Sequence, residues 1–314
     1  MKNFHSNGKL LLTGEYVVLD GANALALPTK RGQSLKIEPI QQPILHWKSE
    51  NEKEEIWFET KFELKNKNSK DKIFQVSNKK GNDQTHNKIY NRLFSILKEA
   101  HKLNPLVLGQ ARGIMATSTL EFPQNWGLGS SSTLINNIAQ WFKIDAYSLL
   151  QNTFGGSGFD IAAARNNAPI TFHLSKLGRN VFTAAFNPKF RDELFFVHLN
   201  RKQDSREAIA HYKRQPREQL SEIIEKISSI THQIITCESI TEFELLLEIH
   251  ETLISKVINI PKIKSSSFPD YPRAIKSLGG WGGDFILATG GEKEKEYFRK
   301  KGFNTILEYE EMVL

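Results

Sequence analysis

Cysteine is almost missing from this sequence: Cys237 is the only one in 314 residues. An internal disulfide is therefore excluded, and such a chain fits a reducing cytoplasm. The nine histidines fall at no metal-ligand spacing and have no cysteine pairs beside them, which argues against a zinc site. No uncharged stretch approaches the length that a membrane span needs. The opening "MKNFHSNGKLLLTGEYVVL" does not read as a signal peptide, because its apolar run is short and Glu15 interrupts it. The sequence also lacks internal repeats, long disordered linkers and the Gly-Lys-Ser/Thr of a Walker loop.

What is present is ordinary for a globular protein with a real core: 39% hydrophobic and 25% charged residues. The length is about that of two typical domains. Net charge is +7, and much of the excess lies in "KFELKNKNSKDKIFQVSNKKGND", from Lys61 to Lys80 and just beyond. Such a run is ordinarily a solvated hairpin and loop. The functional alternative is attraction for an acidic ligand such as a nucleotide or a phosphorylated metabolite. Without a recognisable reader motif, it does not point to nucleic acid.

Patterning places strands at "KLLLTGEYVVL" and "ALALPTKRGQSLKI", joined by a turn at "DGAN". Further strands are expected at "ILHWKS", "IWFET", "KIFQV" and from Arg112 to Leu120. A helix over about 86–101 aligns Ile89, Leu93, Ile96, Leu97 and Ala100. Another, after "GLGSSST", aligns Leu134, Ile135, Ile138, Trp141 and Phe142, and a short helix follows at "DAYSLLQNTF". The second half reads as strands at "PITFHL", "VFTAAF" and "ELFFVHL", then helices over about 217–236 and 241–258. "KSSSFPDYP" reads as a loop, and a helix–strand pair ends the chain. Strands and helices mix without strict alternation, which favours α+β with a boundary near residue 170.

Three small-residue clusters carry the chemistry. In "PQNWGLGSSST" the glycines and serines run straight into a helix. A helix start offers unpartnered N–H groups and the positive end of the peptide dipoles, an anion site. The hydroxyls of Ser130, Ser131 and Ser132 can contact phosphate or magnesium, or can simply cap the helix. "KSLGGWGGDF" packs four glycines into five positions, as a second wall of a phosphate site or as a tight turn. "GGSGFDIAAAR" puts Asp160 at a helix start, as a cap or as a base beside a bound nucleotide.

Taken together with "GKLLLTGEYVVL", these stretches resemble the three motifs of the GHMP kinases, in order and over nearly the whole chain. That resemblance implies an α+β, two-domain GHMP-kinase-like fold. Its N-terminal mixed α/β domain would span 1–170 and carry the phosphate loop. Its ferredoxin-like α+β C-terminal domain would span 171–314 and carry the glycine-rich third motif. "GSGFDIAAA" is similar to the phosphomevalonate kinase pattern, since mevalonate kinases usually carry Asn where this chain has Ile161. The implied activity is ATP-dependent, magnesium-assisted phosphorylation of 5-phosphomevalonate. The alternatives are mevalonate, or a silent nucleotide- or metabolite-binding protein. The implied partner is thus a small molecule, with no nucleic acid and no membrane; a homodimer is compatible with it.

The residues carried over are these. Gly127, Leu128, Gly129, Ser130, Ser131 and Ser132 would hold the nucleotide phosphates, with Ser131 as the magnesium contact. Asp160 would accept or orient the acceptor's proton, and Lys9, placed near it, would stabilise charge on the transferred group. Ser205, Gly279, Gly280, Gly282 and Gly283 would line the substrate side, with Lys30, Arg31 and Arg206 as candidate clamps. The chain departs from the family at Asn7 (usually Pro), at Leu278 (usually Ser or Thr) and at Trp126 and Trp281, which put indoles where small residues are usual. No glutamate falls where mevalonate kinases supply a magnesium ligand.

Overall fold

The computed structural model describes residues 1–64, 84–109 and 113–314. The strand expected at "KIFQV" and most of the basic 61–80 stretch lie outside them. The chain packs as two units. The first comprises Met1–Gly8, Arg31–Gln124 and Gly129–Arg165; the second comprises Lys9–Lys30, Asn125–Leu128 and Asn166–Leu314. Strands β1 (Lys2–Thr13) and β2 (Ala24–Pro39) give one end to each unit.

The first unit continues with β3 (Ile44–Glu50), β4 (Ile56–Glu63), α1 (Gln84–Leu103), α2 (Leu106–Gly109), β5 (Ile114–Leu120), α3 (Ser130–Phe142), α4 (Ala146–Gln151) and α5 (Phe159–Arg165). β5 pairs antiparallel with β2, Gln33 opposite Leu120, and parallel with β3, Leu45 opposite Ile114. β4 closes antiparallel on β3, with an irregularity at Ser49/Glu50. Alternate residues of β3 and β5 point inward, so one face of the sheet is buried. Leu93, Ile96, Leu97 and Ala100 of α1 and Ile135, Ile138, Trp141 and Phe142 of α3 pack in that core, as their spacing predicts. α3 is also fixed by polar contacts. Asn136 donates to Ser6 Oγ at 2.9 Å, and Asn137 donates to the Gln33 carbonyl at 2.8 Å. Buried polar groups tied off in this way specify one position for the helix.

The second unit adds β6 (Ile170–Ser175), β7 (Gly178–Thr183), β8 (Leu194–His198), α6 (Ser205–Lys213), α7 (Leu220–Thr236), α8 (Ile240–Ile258), α9 (Ile263–Ser267), β9 (Ile275–Ser277), β10 (Phe285–Thr289), α10 (Glu292–Lys300), β11 (Ile306–Glu308) and α11 (Tyr309–Met312). β6 pairs antiparallel with β2, Ala24 opposite Phe172, and with β7. A separate antiparallel sheet runs β11-β8-β10-β9, and both faces of β8 and β10 are buried. This is the α+β architecture expected of the second half. No helix among the described residues is long and apolar enough to cross a membrane.

Two local expectations change. The strand expected through "GEYVVL" stops at Thr13: Gly14 (φ 85°) and Tyr16 (φ 64°) turn the backbone into a 3-10 turn over Val17–Asp20. Tyr16 and Val17 thereby reach a core with Tyr212 and Ile227, and tertiary packing overrides the strand-like pattern. "KSSSFPDYP", expected as a loop, begins inside α9. Ile263 and Phe268 at its two ends are buried in one cluster, which holds the turn in place.

Candidate active site

The second unit holds the first half of the loop Asn125–Ser132 from three strands. Lys9 N–H in β1 donates to the Leu128 carbonyl at 3.0 Å. His198 Nε2–H, at the end of β8, donates to the Asn125 carbonyl at 3.1 Å. Trp126 meets Phe285 of β10 edge to face, with centroids 5.2 Å apart, and Leu128 is fully buried. The large indole where small residues are usual is thus an anchor. Trp126→Ala is expected to cost about 3–5 kcal/mol in urea unfolding and Trp126→Phe clearly less; equal losses would mean that the ring's fit to Phe285 contributes nothing.

Gly127, between these anchors, has φ 68°, and a Cβ there would run into the Asp284 carboxylate. Asp284 is buried, itself at φ 53°. Its Oδ1 accepts the Gln203 N–H at 3.2 Å. Burial raises its pKa, opposed by that hydrogen bond and by the charges of Lys9, Lys202 and His198. The glycine-rich third motif wraps the same point. A Cβ on Gly280 would lie 2.6 Å from Gln203 Cγ, and one on Gly283 2.9 Å from Gln203 Cβ. Only bare backbone can approach so closely. Trp281 turns inward, its indole N–H donating to the Pro261 carbonyl at 3.1 Å, and Leu278 is core. Ser205 opens α6 just after Gln203, and Asp204 caps that helix by accepting the Arg206 N–H at 2.9 Å. Lys30 and Arg206 are exposed.

The first unit holds the rest. Gly129 (φ 90°) precedes α3, which no side chain of a described residue caps. Ser132 Oγ–H turns back to the Gly129 carbonyl at 2.7 Å, while Ser131 is exposed and Ser130 half-buried. The N–H groups of Ser130 and Ser131 thus stand at the helix's positive end, ahead of the first intrahelical bonds. Asp160 is half-buried in the first turn of α5, after the positive-φ glycines Gly155, Gly156 and Gly158. α5 packs on α3.

Of the predicted residues, Lys9, Gly127, Leu128, Ser205, Gly279, Gly280, Gly282 and Gly283 thus fall in the second unit. Gly129, Ser130, Ser131, Ser132 and Asp160 fall in the first. Sequence reasoning missed Gln203 and Asp284. Asp284 closes the glycine run, a signal that could have been read; Gln203 has no local signature. Among the described residues no three His, Cys, Asp or Glu side chains cluster to hold a metal. Mg²⁺ needs no such cage, because it is commonly bound by one or two protein groups together with phosphates and water. The exposed Ser131 hydroxyl in the first turn of α3, at the helix's positive end, fits that mode.

No family model and no curated protein matches the sequence. Solved structures do match the fold. The chain is similar to the Methanococcus jannaschii mevalonate kinase, at 15% identity and TM-score 0.68, covering 98% of this chain and 96% of that one. It is equally similar to the Streptococcus pneumoniae phosphomevalonate kinase in complex with phosphomevalonate and AMPPNP, at 14% identity and TM-score 0.68, covering 98% and 100%. The Lactococcus lactis galactokinase complexed with galactose matches at 14% identity and TM-score 0.63, covering 95% and 88%. The chain therefore has the two-domain α+β fold of the GHMP kinases.

Proposed function

We propose that this protein is an ATP-dependent small-molecule kinase whose acceptor is 5-phosphomevalonate. The observation that carries the reading is the loop Gly127–Ser132. β1 holds it at Leu128, β8 and β10 hold Asn125 and Trp126 just before it, and its second half opens a helix that no side chain of a described residue caps. A fixed backbone ending in helix N–H groups ahead of the first intrahelical bonds suits the β- and γ-phosphates of a nucleotide. Mg²⁺, held against those phosphates by Ser131, would supply neutralising charge. Asp160 orients the attacking oxygen and takes its proton where it has one, and Lys9 stabilises charge on the transferred phosphoryl group. Gly279, Gly280, Gly282, Gly283 and Ser205 lie on the acceptor side.

The fold supports the kinase class, and the "GSGFDIAAA" stretch favours the phosphorylated acceptor over mevalonate. ADP release measured with magnesium-ATP and the two acceptors in parallel tests both points. Turnover of 5-phosphomevalonate alone is expected. Turnover of mevalonate alone would move the assignment to mevalonate kinase. No turnover with either, alongside a thermal shift by magnesium-ATP, would leave a silent nucleotide binder.

A further inference from the structure

The second unit buries four ionisable side chains in one cluster. Glu15 lies in the turn after β1, His250 and Glu251 in α8, and Lys276 in β9, and none is more than 1% exposed. Lys276 Nζ donates to Glu15 Oε1 and lies 3.1 Å from Glu251 Oε1. It also donates to the Ser277 carbonyl at 2.5 Å, while Ser277 Oγ–H donates to Glu251 Oε2 at 3.1 Å. His250 Nε2, which is 3.5 Å from Glu15 Oε2, accepts the Gly14 N–H at 3.0 Å. Nε2 is thus the unprotonated nitrogen. Burial, and Lys276 nearby, hold the His250 pKa well below its usual value, so the ring is neutral.

The charges do not balance: two carboxylates face one ammonium. An unmatched buried charge is costly, and one proton shared by the carboxylates removes the surplus. Burial pushes Glu15 up to about 7, with Lys276 opposing and the Glu251 charge adding. Burial raises Glu251 too, again against Lys276. Lys276 itself stays charged, because Glu15 and Glu251 outweigh its desolvation. Tyr16, next to Glu15 in the chain, is kept a neutral phenol by burial and by the Glu15 and Asp284 charges.

This cluster adjoins the glycine-rich loop. The Lys276 ammonium lies 5.8 Å from the centre of the Trp281 ring. Trp281 is the buried side chain that pins the loop, through its hydrogen bond to Pro261. We infer that Glu15 and Lys276 are positioning residues for Gly279–Gly283, acting through Trp281, and that they hold the loop only while the Glu15–Glu251 pair keeps one proton. Loss of that proton leaves a second carboxylate drawing on Lys276, which weakens its hold under the indole. Gln at 15 keeps an acceptor for Lys276 and removes the titration. The consequence for catalysis rests on the kinase reading; the coupling of proton to loop does not.

The test is hydrogen exchange of the loop peptide in the full chain, wild type against Glu15→Gln, at about pH 6 and about pH 8.5. The peptide is identical in both proteins, so intrinsic exchange cancels at each pH. Equal protection is expected at the lower pH. At the higher, the wild-type loop should exchange roughly 10-fold faster than the variant's. In turnover, the wild-type acceptor KM should rise about 3- to 10-fold over the same interval with little change in kcat, and the variant's should stay flat. Equal loop exchange at both pH values, or a wild-type KM profile retained in the variant, overturns the inference. Should Glu15→Gln not fold, Glu251→Gln removes the same surplus charge and must give the same flattening. Absence of turnover with every acceptor would count against the kinase reading alone, since the exchange comparison needs no substrate.

Discussion

Asp160→Asn is expected to lower kcat by about 10²–10⁴ while leaving nucleotide affinity and thermal stability near the wild-type values. Asparagine matches the carboxylate in shape, so the half-buried first turn of α5 keeps its packing. What disappears is the proton acceptor and its charge. The size of the loss also reports the acceptor. An alcohol must give up its proton as it attacks, so mevalonate turnover should fall toward the upper end. A phosphomonoester is already a dianion near pH 8, so 5-phosphomevalonate turnover should fall toward the lower end, where Asp160 only orients. Single-turnover kinetics with both acceptors measures this. An unimpaired variant would remove Asp160 from the reaction.

Gly127→Ala should disable nucleotide binding by distorting the phosphate loop itself. Two independent penalties fall on one residue. A left-handed backbone costs an L-residue about 1–2 kcal/mol, and Gly127 sits at φ 68°. The new Cβ also meets the Asp284 carboxylate, which Gln203 and the close approach of Gly283 leave little room to retreat. The expected result is a rise of about 10-fold or more in the Kd for magnesium-ATP, with about 1–3 kcal/mol lost from stability. The double variant Gly127→Ala/Asp284→Ala separates the penalties, because it removes the collision and keeps the strained φ. It should recover part of the lost stability. If it recovers none, the collision is not the cause, and wild-type affinity in the single variant would show that the loop bends freely.

Elements whose cause is local were legible in the sequence. The apolar stripes of α1 and α3 predicted the buried faces, because one amphipathic helix against one core leaves a periodic mark. The glycine clusters were visible because backbone at positive φ demands particular residues. What remained hidden is set by partners far along the chain. Nothing in "GEYVVL" says that Tyr16 turns toward Tyr212, or that Ile263 and Phe268 share a core and so wind α9. Trp126 and Trp281 looked like departures from the motifs because their function is to face inward, which only packing reveals. Asp284 looked like the end of a glycine run until Gln203 and Gly127 appeared beside it.

The segment from Lys9 to Lys30 has its own history during synthesis. Thr13 waits for Thr231, 218 residues later, and Glu15 for Lys276, 261 residues later. At about 5–20 residues per second, a ribosome delivers Lys276 roughly 13–50 s after Glu15. Through that interval Leu10, Leu11, Leu12 and Val17, each at most 5% exposed in the finished protein, have no unit to enter. The nascent chain therefore carries an apolar segment that stays unburied until the rest of the second unit is made. A chain refolded from denaturant meets both partners at once and is spared the wait.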